Sequence, residues 1–61
     1  MTTTTMTGYV ACNASQGDML SDVEHGAIRS TEAEAIADRD AGYETVRYVA
    51  PDGYLYVDRP E

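Results

Sequence analysis

Lysine, phenylalanine and tryptophan are absent from this 61-residue chain, and cysteine and histidine occur once each. Each absence removes a class of function. With a single cysteine, Cys12, no intramolecular disulfide forms and no cysteine cluster holds zinc. With one histidine, His25, and no lysine, a nucleophile has no general base oriented by a third group, so the chain does not read as an enzyme. Four arginines are the only strong bases, which leaves no basic patch interleaved with aromatics and disfavours direct binding to nucleic acid. No apolar run approaches the roughly 20 residues that span a bilayer, and the first residues lack the basic and apolar regions of a signal peptide. These features give the expectation of a cytoplasmic protein that binds no membrane, in a reducing compartment.

What the chain does have is acid. Eleven Asp and Glu face four Arg, for a formal net charge of −7. The charge is uneven: residues 1–17 contain no Asp, Glu, Lys or Arg, so every acid lies from Asp18 onward. Self-repulsion on that scale opposes a compact state, and the expected partner is a basic protein surface. A chain this short forms one domain, 1–61, which buries only about 60% of the surface its unfolded form exposes. Nine large aliphatics, eight alanines, five tyrosines and three methionines supply a thin two-layer core. A second copy would steady such a core, so monomer and weak homodimer are both expected.

The local signals give an α+β fold. Residues 1–6 read as a loose, threonine-rich start that runs into a strand at 9–12, where the single cysteine is a small core residue. Residues 13–18 collect turn formers, and 19–29 reads as a second strand, irregular around His25-Gly26. There His25 is a solvated loop residue. Thr31-Glu32-Ala33-Glu34 matches a capping box, with the threonine hydroxyl on an orphan amide and Glu34 reaching back to the cap N–H. A helix over 31–41 follows, with Ala33, Ile36, Ala37 and Ala41 as its apolar stripe and Gly42 as its left-handed end. Strands at 43–50 and 54–59 flank the turn Pro51-Asp52-Gly53. A two-residue loop would place Val46, Tyr48, Ala50, Leu55 and Val57 on one face and oppose Arg47 to Asp58, whereas a three-residue loop with a glycine bulge groups Arg47, Val49, Leu55 and Val57. The first gives the cleaner apolar face and is the expected register. The sum is β-β-α-β-β, a small antiparallel β-sheet with one α-helix packed on one face.

The chemistry lies in the arrangement of acids and tyrosines. Asp38 with Asp40, or Asp18 and Asp22 with Glu24, lack the spacing of a calcium loop, so no metal and no cofactor is expected. Glu34 and Asp38, four apart, repel one another, and Asp38 and Asp40 oppose the helix dipole. Such charges do not help the helix. Side chains at helical i, i+4 lie roughly 5–6 Å apart and alternate strand residues roughly 6.6 Å apart, comparable to successive phosphates. All aromatics are tyrosine, at 9, 43, 48, 54 and 56. Tyr48 is assigned to the core, and Tyr54 and Tyr56, beside Asp52 and Asp58, to contact. The candidate partner-binding set is therefore Glu32, Glu34, Asp38, Asp40, Asp52, Tyr54, Tyr56 and Asp58.

The capped helix Thr31-Glu32-Ala33-Glu34-Ala35-Ile36-Ala37 and the hairpin from Glu44 through Pro51-Asp52-Gly53 to Asp58, in a tiny acidic chain, resemble the small phage-encoded anti-CRISPR proteins that act on type I interference complexes. The resemblance covers about residues 19–59 and rests on size, charge and element order, with no motif that carries a site over position by position. It implies an inhibitor in the host bacterial cytoplasm that docks on the basic, nucleic-acid-binding surface of a Cascade-type CRISPR complex and blocks target DNA by mimicking it. The alternative from another class is a small adaptor or regulatory module that binds a protein partner, with acidity serving solubility alone.

Overall fold

A computed structural model describes residues 7–58. The threonine-rich start at 1–6 and Arg59 lie outside them. Among the described residues, β1 (Gly8–Cys12), α1 (Glu32–Asp40), β2 (Thr45–Val49) and β3 (Leu55–Tyr56) form the regular elements, with single 3-10 turns at Ala14–Gln16 and Leu20–Asp22. The strands make one antiparallel sheet in the order β1-β2-β3, so the fold is a small α+β one.

The expected second strand is not a ladder. Residues 18–29 instead cross from one edge of the sheet to the other. At one end Leu55 N donates to Asp18 O and Leu20 N to Gly53 O, both at 2.9 Å, so the free edge of β3 is paired. At the other end Arg29 exchanges two backbone hydrogen bonds with Tyr9, and Gly26 N donates to Ala11 O at 2.9 Å along the free edge of β1. A segment that must join two opposite edges cannot stay extended beside one of them. The 3-10 turn at Leu20–Asp22 makes the bend, and the spacing of Leu20 and Val23 brings both side chains inward, where both are buried. This strap leaves little unpaired backbone on either edge for another chain to extend.

Strand alternation then defines two faces. Val10, Cys12 and Val49 are fully buried under Leu20 and Val23 of the strap, with Ile28 and Leu55 packed alongside. Ala11 leaves β1 on the opposite face and is fully buried too. That second face carries α1: Arg29, in register with Tyr9, is bonded to Asp38 of the helix, and Ala35 is fully buried. Cys12 is thus a core residue, and burial pushes its thiol pKa up, with Arg47 partly opposing and Glu44 adding to the shift.

The helix forms where its signals place it, and Glu34 N donates to Thr31 Oγ1 at 3.4 Å. Glu34 does not return to the cap N–H, however; it accepts from the hydroxyls of Thr31 and Ser30. The apolar stripe also differs. Ala33, Ala37 and Ala41 are exposed, and the inward stripe is Ala35 with half-buried Ile36, Asp38 and Arg39, so of the expected stripe Ile36 alone faces inward. The Arg29 ion pair draws Asp38 toward the sheet, and a charged position carries no hydropathy signal of an inward face.

The hairpin takes the three-residue loop, contrary to the preferred register. Tyr48 opposes Tyr56 and Val49 opposes Leu55, Gly53 N donates to Ala50 O at 2.9 Å, and Gly53 has φ +89°, a conformation that glycine adopts without a steric penalty. Arg47 therefore does not face Asp58. Its Nη1 donates to Thr45 Oγ1 and Val46 O instead. Both faces of β1 and β2 are covered, so segregating every apolar side chain to one face is not what selects the register.

Candidate functional site

Ten of the eleven acids fall within the described residues, and only two of these meet a described arginine. Asp38 accepts from Arg29 Nε at 2.7 Å and Nη2 at 3.2 Å, a two-pronged contact with the Asp38 side chain 25% exposed. The bond from Arg29 holds the Asp38 carboxyl pKa below its ordinary value, and the same bond raises that of Arg29. Asp40 pairs with its neighbour Arg39 at 3.1 Å on the open surface. The two acids that would oppose the helix dipole are thus the two that are neutralised.

Four more acids serve as hydrogen-bond acceptors for neutral groups. Glu44 takes Ser15 N and Oγ while its own N–H donates to Asn13 Oδ1, which ties the loop after β1 to the start of β2. Glu24 and Gln16 bond one another through side chain and backbone. Glu34 takes the two hydroxyls before the helix, and Asp52 Oδ1 takes Tyr54 N inside the hairpin turn. The remaining four, Asp18, Asp22, Glu32 and Asp58, are exposed and make no side-chain hydrogen bond or ion pair among the described residues.

The candidate residues therefore divide. Glu32, Glu34, Asp38 and Asp40 share α1 on one face of the sheet, and Asp52 sits in the hairpin turn beside Met19, Leu20 and Ser21 of the strap. The structure does not gather them into one patch. Tyr54 and Tyr56 are 46% and 40% exposed at the β3 edge, and the neighbouring Val57 is 73% exposed. Tyr48 is half-buried and stacks edge-to-face on Tyr9, with ring centres 5.5 Å apart, a pair worth about 0.5–1.5 kcal/mol beyond its area. The unpaired strap acids Asp18 and Asp22 were legible only as charges, the first at the end of a loop and the second in an expected strand. Nothing local signals that residue 18 lies against the hairpin.

A polar groove of about 620 Å³ is lined by Asn13, Glu24, His25 and Tyr43, with Val23 and Gly42. Among the described residues no serine, threonine or cysteine lines it. Three of its polar side chains are engaged: Asn13 by Glu44 N, Glu24 by Gln16, and His25, whose Nδ1 donates to Gly26 O at 2.8 Å. Among the described residues no three His, Cys, Asp or Glu lie close enough to hold a metal ion, and no helix is long and apolar enough to cross a membrane. Comparisons with family models, with curated proteins and with solved structures found no match.

Proposed function

We propose that this protein is a non-enzymatic inhibitor whose acidic surface occupies the basic, nucleic-acid-binding surface of a protein complex, of the Cascade type in a type I CRISPR system, and so excludes target DNA. The observation that carries this reading is the exposure of Asp18, Asp22, Glu32 and Asp58, none of which meets a cation or a hydrogen-bond donor among the described residues. Unneutralised charge on a domain this small has a cost in self-repulsion, which contact with a basic groove relieves. Exposed Tyr54 and Tyr56 add apolar contact area at small entropic cost.

The alternative, an adaptor whose acidity keeps it soluble, draws support from Glu24, Glu34, Glu44 and Asp52, whose carboxylates hold loops together. The two readings separate by mutation and by salt. Charge reversal at Glu34, Asp38 or Asp52 would disturb the fold as well as the surface, so the clean variant reverses Glu32 and Asp58 together. In a mobility-shift assay with a type I complex and its target DNA, wild type is expected to release the DNA at low salt, and E32K/D58K to do so several-fold less well. Equal inhibition by the two proteins, or inhibition that does not weaken as salt rises, would sink the mimicry reading.

A further inference from the structure

Where the strap meets the hairpin turn, a second groove of about 400 Å³ is lined by Met19, Leu20, Ser21, His25, Ile28, Asp52 and Gly53. Its walls are mainly aliphatic, and one acid, Asp52, lines it. Asp52 stands at the rim with Oδ1 held by Tyr54 N, which leaves Oδ2 without a partner among the described residues. Asp18 and Asp22, both exposed, lie on the same strap. Among the described residues no arginine lines the groove: Arg29 is turned onto Asp38, Arg39 onto Asp40, and Arg47 onto Thr45. The one basic side chain there among the described residues, His25, directs Nδ1 to Gly26 O.

We propose that this groove seats one arginine side chain of the partner, its aliphatic stem on Met19, Leu20 and Ile28 and its guanidinium against Asp52 Oδ2. The assignment rests on the reading that the partner's docking surface is basic, and it names the anchor. Long cationic side chains bury an apolar stem while the charged head stays at a wet rim, which is the arrangement of this groove. Guanidinium is more weakly hydrated than ammonium and forms directional contacts to a carboxylate, so arginine fits better than lysine. Complementarity of charge selects the occupant, since an aliphatic or acidic side chain would leave Asp52 unanswered or repelled.

The test uses an octapeptide of alternating glycine and arginine, its counterpart with neutral citrulline at each arginine, and amide spectra of the whole 61-residue protein at low salt. The arginine peptide is expected to shift the amides of Ser21, Ile28 and Gly53, and the citrulline peptide to do so far less. S21W, which fills the groove, and D52N, which keeps the turn acceptor and removes the charge, are each expected to weaken binding about fivefold, the upper range for a rim charge pair. Retained dispersion of the amide spectrum shows that each variant is folded. Equal binding by wild type, S21W and D52N, with shifts confined to Glu32 and Glu34, overturns the groove while leaving the acidic surface reading intact. No binding of the arginine peptide to wild type overturns both. Weakening by S21W alone, with citrulline binding as well as arginine, overturns the arginine assignment in favour of an apolar occupant.

Discussion

On one face of the sheet Leu20 and Val23 press on Val10, Cys12 and Val49; on the other, the fully buried side chains are the alanines Ala11 and Ala35, and the outer contact is the Arg29–Asp38 pair. The strap face is held by buried aliphatic groups, whereas on the helix face the larger side chains Tyr9, Val46 and Tyr48, with Ile36 of α1, are only half-buried and charges sit at the margin. Burial energy follows the apolar area removed from water, so a fully buried aliphatic group under the strap contributes more than a half-buried one or an alanine beside the helix. The helix face is left lightly loaded. Its surface acids therefore vary with little effect on the core, whereas the strap is both a wall of the core and the partner of both sheet edges.

The sharpest way to break this contrast is to remove one aliphatic group from the strap. Leu20→Ala is expected to cost about 2–4 kcal/mol, the range for deleting a buried leucine, and Ala35→Gly on the opposite face about 1 kcal/mol from helix propensity. Urea denaturation of the two variants measures both, and equal losses would show that the faces contribute alike.

Next in size is the seam between the strap and β1. Gly8 has φ +148°, and a Cβ there would lie 2.4 Å from Arg29 O and 2.9 Å from Ile28 Cγ2. Gly8→Ala is expected to cost about 1–3 kcal/mol in backbone strain and to speed exchange of the Tyr9 and Arg29 amides more than that of the helix amides. Uniform loss of protection would mean that the seam and the helix open together.

A smaller effect belongs to the helix margin. The bond from Arg29 lowers the Asp38 pKa on folding, so the pair's contribution is complete above the ordinary carboxylate range and is lost as pH falls through the folded value. Asp38→Asn is therefore expected to melt below wild type at neutral pH, with the two melting temperatures converging in acid. A gap that persisted unchanged at low pH would assign the loss to packing. The smallest effect is expected for Glu32→Gln with Asp58→Asn, within about 0.5 kcal/mol of wild type as for other exposed changes. Removing two like charges from a chain of net charge −7 relieves self-repulsion, most visibly at low salt, and offsets the loss of Glu32 from the first turn of α1, where the helix dipole favours an anion. A loss above 1 kcal/mol in the same denaturation assay would show that these acids are structural.

Signals that act within a few residues were legible in the sequence. The Thr31 cap, the helix end at Gly42, the turn at Pro51-Asp52-Gly53 and the burial of Cys12 follow from hydrogen bonds and propensities that span at most four positions. Composition alone also set the net charge and the single histidine with no lysine. The acid pairings were not legible, because Glu44 with Ser15 and Glu24 with Gln16 are made by side chains 29 and 8 residues apart.

Tertiary structure alone decided the rest. It turned residues 18–29 from a strand into a strap, because two sheet edges needed partners and one segment reached both. It chose the three-residue hairpin loop, because both faces of the sheet are covered and alternation no longer separates apolar from polar side chains. It also decided which acids are free. A charge in a sequence is the same whether or not an arginine lies opposite, and only the folded chain places Arg29 on Asp38 while leaving Glu32 and Asp58 in water.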